Sequence, residues 1–322
     1  MLGQKKLEQE HIPKLSPREN IKKISKQISG HSPKNIAKGN KLNELSAKEW
    51  LKFTKTWFVH NPPPRKKNEV LHPAKYPESM IEGFIEFFTK PGAIVFEPFL
   101  GTGSTLVACH NSKRNGVGIE LQHKYAEIAQ DRLKDMESQL KLDASGADLQ
   151  CKQLVIEGDA NDIDKFWKEY SLPEIDFVIT SPPYGPMLKK KGLAAKERED
   201  KGLDTKYSEE EKDFGNVNDY EEFLDKLEQL FVKIKPKVKI GGYLVVILQN
   251  YREGPEFKTL AWDFSCRMKK HLIMSGCRVW CQDNKTLYPY GYRYSFVPNV
   301  HHHYCLVFKR VEEKKKKEEE IK

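Results

Sequence analysis

Ala93-Ile94-Val95-Phe96-Glu97-Pro98-Phe99-Leu100-Gly101-Thr102-Gly103-Ser104-Thr105-Leu106 is the stretch on which the fold turns. Residues 93–97 are an apolar run of strand length, and residues 105–112 continue without glycine or proline, which predicts a helix. A strand that passes through a glycine turn directly into a helix is half of a βαβ unit. Glycine at 101 and 103 lets the backbone approach a bound group closely, and the helix start supplies N–H donors. A pyrophosphate fingerprint, Gly-x-Gly-x-x-Gly, asks for a small residue at 106, where Leu106 stands, so that reading is disfavoured. A glycine turn in a purely structural βα loop remains the alternative on this segment alone.

Outward from this stretch the pattern repeats. Residues 116–120, 153–157, 175–180 and 243–248 read as further buried strands, separated by helical candidates at 78–88, 124–140, 162–169 and 220–233. That alternation predicts a mostly parallel sheet. Residues 277–282 and 304–310 are strand-like with no helix between them, which predicts an antiparallel C-terminal pair. The longest apolar run, 243–248, is far short of the roughly 20 residues of a membrane-spanning helix, so no membrane partner is expected.

Two carboxylates end consecutive strands. Glu120 closes Gly118-Ile119-Glu120, where it can accept both hydroxyls of a ribose, and Asp159, followed by Ala160, is placed to accept from the amino group of an adenine. Either alone reads as a helix N-cap. Following a glycine loop at one edge of an open sheet, together they describe an adenosine pocket. The next strand runs into Thr180-Ser181-Pro182-Pro183-Tyr184-Gly185. Pro182 and Pro183 lack a donor and fix φ, so the loop turns carbonyl oxygens outward with no competing N–H. A plain proline turn would not account for Ser181 and Tyr184 flanking them at the ligand edge.

With both segments in place, the chain resembles the amino-methylating DNA methyltransferases, which modify cytosine N4 or adenine N6. That family has a Phe-x-Gly-x-Gly cofactor loop, here Phe99 to Gly103, and an (Asp/Asn/Ser)-Pro-Pro-(Tyr/Phe/Trp) catalytic loop, here Ser181 to Tyr184. His72-Pro73-Ala74-Lys75-Tyr76-Pro77 resembles its cofactor-carboxylate segment, and residues 304–309 its last strand. The resemblance spans residues 71–310 and implies a Rossmann-like fold dependent on S-adenosylmethionine, a mostly parallel seven-stranded sheet with an antiparallel C-terminal hairpin. It implies cofactor contacts from His72, Lys75, Tyr76, Glu97, Pro98, Phe99, Gly101, Thr102, Gly103, Ser104, Glu120, Asp159 and Ala160. Glu97 departs from the commoner Asp but is long enough to reach the cofactor's ammonium group.

The implied chemistry is direct transfer to an exocyclic amino nitrogen. Ser181 and the Pro182 carbonyl accept its two N–H groups and draw its lone pair out of conjugation. Pro183 stiffens the loop, and Tyr184 stacks on a base flipped from double-stranded DNA. Serine at the first position leans the resemblance towards cytosine N4 over adenine N6; an RNA base on the same fold is the further alternative. A restriction-modification setting makes a cognate endonuclease a candidate partner.

Charge divides the chain. Its 322 residues carry a net charge of +9, yet residues 1–67 hold 16 Lys and Arg against 5 Asp and Glu, so the remainder is slightly acidic. Residues 1–45 are therefore read as a basic arm, either contacting nucleic acid or solubilising. Residues 46–310 are expected to form the methyltransferase domain and 311–322 a charged tail. Within the domain, 185–219 is a long charged insert, and 284–299, dense in Tyr and Arg, is a candidate recognition hairpin or a cover for the sheet edge. Six scattered cysteines and a Lys-rich start without a leader predict a reducing, cytoplasmic setting. Cys277, Cys281, His301, His302, His303 and Cys305 lie on strands expected to pair, but the spacing is loose for zinc and no metal is expected.

Overall fold

The computed structural model describes residues 40–61, 76–142, 151–184 and 213–312. In chain order these form α1 (Ala47–Phe53), β1 (Trp57–Val59), α2 (Glu78–Phe88), β2 (Ile94–Glu97), α3 (Ser104–Asn111), β3 (Asn115–Glu120), α4 (His123–Leu142), β4 (Gln153–Glu157), α5 (Ile163–Glu169), β5 (Ile175–Thr180), α6 (Tyr220–Ile234), β6 (Val238–Leu248), the short hairpin β7 (Tyr251–Glu253) and β8 (Glu256–Lys258), α7 (Leu260–Met268), β9 (Ile273–Cys281) and β10 (His302–Lys309).

Eight strands make one sheet in the order β1-β9-β10-β6-β5-β2-β3-β4. β10 is antiparallel to both β6 and β9, and every other pairing is parallel. Setting β1 aside, this is the seven-stranded sheet with an antiparallel C-terminal pair that the residues led us to expect, a Rossmann-like architecture. The eighth strand, β1, has three residues, too few to show a periodicity, and it pairs Trp57-Phe58-Val59 with the end of β9.

Both faces of the sheet are covered, which is why its strands read as continuous apolar runs. Side chains alternate between faces. Phe96, Val178, Leu244, Val246, Leu306 and Phe308 pack with Phe223, Leu227 and Phe231 of α6 and Phe264 of α7. Val95, Phe177, Ile179, Val245, Ile247 and Val307 pack with Ile81, Phe84, Ile85 and Phe88 of α2. Each such burial contributes roughly 1.5–3 kcal/mol before entropy is counted. Asp219 caps α6 by accepting from the Glu222 N–H at 2.8 Å, and a Ser46/Glu49 capping box starts α1.

Three expectations need adjusting. Asn43 and Leu45, assigned to the arm by composition, are buried, and Asn43 donates to the Phe87 carbonyl at 2.6 Å, so the folded body begins before residue 46. Segment 284–299 contains no strand: Pro289 and Pro298 cannot donate to a ladder and Gly291 sits at φ +68°, so it is a loop rather than a hairpin. Phe214 and Val217, at the end of the charged insert, are buried in the core. Residues 1–39, 185–212 and 313–322 lie outside the described residues, as do His72 and Lys75. No helix among the described residues is long and apolar enough to cross a membrane.

Candidate functional site

From β2 the chain winds outward through β3 to β4, then returns to place β5 on the other side of β2. The crevice beyond the carboxyl ends of β2 and β5 is therefore a topological switch point, where open α/β sheets bind ligands. The glycine loop leaves β2 and the Ser-Pro-Pro-Tyr loop leaves β5 at that crevice. A pocket of about 830 Å³, counting its open mouth, lies there. Tyr76, Pro98 to Thr102, Ser104, Glu120, Asp159, Ala160, Ser181 and Pro183 line it.

The loop geometry follows from its residues. Gly101 has φ +58°, a left-handed conformation that costs a side-chain-bearing residue about 1–2 kcal/mol, and its N–H donates to Glu120 Oε2 at 2.7 Å. Gly103, at φ +85°, serves packing instead of the pocket: a Cβ there would meet the Ala129 Cβ of α4 at 2.9 Å. Arg132 holds the loop from outside, donating to the Thr102 carbonyl at 2.6 Å and pairing with Glu78. The Ser104 hydroxyl, on the pocket wall at the start of α3, is buried and makes no hydrogen bond among the described residues.

Glu120 faces the pocket with Oε1 accepting the Gln122 N–H at 2.9 Å. Burial pushes its pKa up to about 7, with the negative Asp213 adding to the rise and the backbone N–H groups opposing it. Asp159 accepts the Asn161 N–H at 2.8 Å and so caps the short helical turn that follows, while also lining the pocket.

Glu97 lies elsewhere than its expected role requires. It is fully buried behind the glycine loop, not on the pocket wall, and accepts the hydroxyls of Tyr76 and, at 2.9 Å, Thr105, together with the Phe99 N–H at 3.3 Å. Burial pushes its carboxyl up to about 8 despite these donors. The Thr180 hydroxyl faces the same carboxylate without reaching hydrogen-bond geometry. Glu97 thus ties Tyr76 to the loop from within.

On the second loop Ser181 and Pro183 line the pocket, whereas Pro182 and Tyr184 are buried. Tyr184 is 5 % exposed, and its ring joins the core instead of standing open for stacking. Its hydroxyl lies 3.1 Å from Ser181 Oγ and donates to the Ile247 carbonyl at 3.3 Å. Asp213 and Phe214 complete the wall, Phe214 meeting Phe99 edge-on at 5.2 Å. Sequence reasoning missed both, because they follow a long charged stretch without periodicity.

The strand cysteines and histidines do not converge: Cys281 pairs with His302, Trp280 stacks on His303, and Cys305 is buried. No three His, Cys, Asp or Glu side chains among the described residues could hold a metal ion.

Comparison with known proteins adds an independent finding. A family model described as DNA methylase, covering adenine-N6 and cytosine-N4 enzymes, matches residues 5–131, which include the glycine loop and Glu120. The type II methyltransferase M.BglII of Bacillus subtilis is 36 % identical over 93 residues, 29 % of this chain and 26 % of that protein. The type II methyltransferase M.HpaI of Haemophilus parainfluenzae is 37 % identical over 67 residues, 21 % of each. A Streptococcus mutans chain solved in complex with SAH overlaps 73 % of this chain and 99 % of its own length at 14 % identity and a TM-score of 0.41. The chain spans about a quarter of the length of the curated relatives it matches. The match over residues 5–131, the relatives that are type II methyltransferases, and a Ser-Pro-Pro-Tyr loop facing the same pocket make the chain similar to the amino-methylating, N6/N4-type DNA methylases.

Proposed function

We propose that the chain methylates the exocyclic amino group of a base in double-stranded DNA, cytosine N4 in preference to adenine N6, using S-adenosylmethionine. The observation that carries the reading is the meeting of two loops: Ser181 and Pro183 line the same pocket as Gly101, Ser104, Glu120 and Asp159.

S-adenosylmethionine suits this wall. Glu120 offers a carboxylate to a ribose, Asp159 an acceptor to an adenine amino group, and Ser104 an unspent hydroxyl at a helix start. Pro98, Phe99, Thr102 and Ala160 shape the wall around them. Gly101 keeps the backbone close, and Gly103, Glu97 and Tyr76 hold the loop in place. His72 and Lys75 are assigned to the cofactor's carboxylate by resemblance. When bound, the cofactor supplies a methyl group on a sulfonium centre. Ser181 Oγ and the carbonyl of Pro182 accept the two N–H groups of the target amine, localising its lone pair for attack. Pro183 fixes the turn, and solvent takes the proton released.

The target base is taken out of the duplex. A surface for the flanking DNA sits at the same edge of the sheet. Because β10 is antiparallel to both β6 and β9, the loop between β9 and β10 emerges beside the ends of β5 and β6. It projects Tyr294 at 93 % and Phe296 at 87 % exposure, with Tyr292 and Arg293 alongside. Asn299 braces it through two 2.9 Å bonds with the backbone of Tyr288. Exposed aromatics with a cation on a braced loop suit base stacking and phosphate contact. A restriction-modification setting with a cognate endonuclease belongs to this proposal through the type II relatives.

The test is incubation of the purified chain with S-adenosylmethionine and, in parallel, unmethylated plasmid or RNA, followed by digestion to nucleosides and mass spectrometry. N4-methylcytosine is expected. N6-methyladenine would overturn the choice of base, and methylation confined to RNA, or of nothing, would overturn the reading.

A further inference from the structure

We infer that the Tyr184 hydroxyl fixes the direction of the Ser181 O–H bond, turning its proton away from the pocket so that Ser181 meets the target amine as an acceptor. The inference rests on the amino-transfer reading and assigns Tyr184 as a positioning residue.

A serine hydroxyl is both donor and acceptor. An Asp or Asn at this position would present an oxygen that can only accept, but a serine can point its proton at the substrate. An amino group offers two N–H donors, and a third proton aimed at its nitrogen would compete for the lone pair that must attack. Something has to set the serine's polarity.

The surroundings of Tyr184 do so. Its hydroxyl lies 3.3 Å from the Ile247 carbonyl, which can only accept, so the tyrosine's single proton belongs there. The tyrosine oxygen is then left to accept the proton of Ser181, 3.1 Å away. His303 Nδ1 stands on the inner side at 3.5 Å and leaves this order intact in either tautomer, donating to the tyrosine oxygen or sharing the inward proton. That imidazole stacks on Trp280 with centroids 4.7 Å apart, and Trp280 Nε1 donates to the His60 carbonyl at 2.7 Å beyond β1. The relay is thus braced from the sheet edge. Burial also pushes the Tyr184 phenol well above its ordinary range, so it keeps the proton the relay needs.

Double-mutant kinetics on the full chain test this. Tyr184→Phe keeps the buried ring and removes only the hydroxyl. In the parent it should lower the single-turnover rate of methyl transfer about tenfold, the worth of one oriented hydrogen bond, with dissociation constants for cofactor and DNA changed less than twofold. In a Ser181→Asn background the same change should cost less than threefold, because an amide oxygen accepts without help. If that background proves inactive, Ser181→Ala replaces it with the same expectation. Equal losses in both backgrounds would make the hydroxyl merely structural, and no loss in the parent would dismiss its role; either result overturns the inference. A parent chain that methylates no DNA would overturn the amino-transfer reading and this inference with it.

Discussion

If Glu120 receives the ribose of the cofactor, binding must be linked to its protonation. Burial lifts its pKa to about 7, so in the free protein close to a tenth of the molecules carry the carboxylate at pH 6 and about nine tenths at pH 8. The ribose hydroxyls donate, and a protonated carboxyl has lost part of its capacity to accept. Binding therefore favours the ionised form, expels a proton below pH 7, and strengthens as pH rises. The expected gain is about tenfold between pH 6 and pH 8, near 1.4 kcal/mol, levelling off above. Isothermal titration calorimetry with S-adenosylhomocysteine measures it, and repeating it in buffers of different ionisation enthalpy counts the released protons. Glu120→Gln should bind more weakly and lose the pH dependence. A flat profile in the parent would refute the reasoning. So would an undiminished slope in Glu120→Gln, which would point to Glu97, pushed up to about 8 behind the loop.

Three further outcomes are expected. Gly101→Val places a branched side chain at φ +58° on the pocket wall and should weaken cofactor binding at least tenfold while DNA retention in gel shifts stays within a few-fold. Replacing Tyr294 and Phe296 together by alanine should weaken DNA binding ten- to a hundredfold, the worth of one or two stacked bases, with cofactor affinity unchanged; equal DNA affinity would dismiss the loop as a contact surface. Deleting residues 1–39 should flatten the salt dependence of DNA binding by about 0.9 in log–log slope for each phosphate that the arm neutralises, and an unaltered slope would leave the arm a solubilising segment.

The central sheet was legible because parallel strands buried on both faces write themselves as apolar runs: β2, β4 and β5 lie where their residues place them. β6 begins earlier than its apolar run because Gly241 and Gly242 disguise its start. Helix α7 escaped notice, being nine residues long with the apolar Trp262 and Cys266 on its exposed face, which blurs the periodicity of the buried positions. At the site, the glycine loop, Glu120, Asp159 and Ser181 could be found because strand ends and glycine or proline punctuation mark them. What the chain order hides is direction. Gly103 serves the packing of α3 on α4, Glu97 faces inward to Tyr76 and Thr105, and Tyr184 turns into the core, although each stands in a motif read as facing ligand. Asp213 and Phe214 reach the pocket only through their tertiary placement, which no local pattern encodes.

The central question is whether Ser181 promotes direct transfer of the cofactor's methyl to a base held in the same pocket. Single-turnover transfer of a deuterium-labelled methyl from S-adenosylmethionine to plasmid DNA, read in the digested nucleosides for parent and Ser181→Ala side by side, measures this. The expected result is labelled N4-methylcytosine from the parent and a rate lower by about a hundredfold in Ser181→Ala at unchanged cofactor affinity. Full transfer by the Ser181→Ala chain, or no labelled base from the parent, would contradict it.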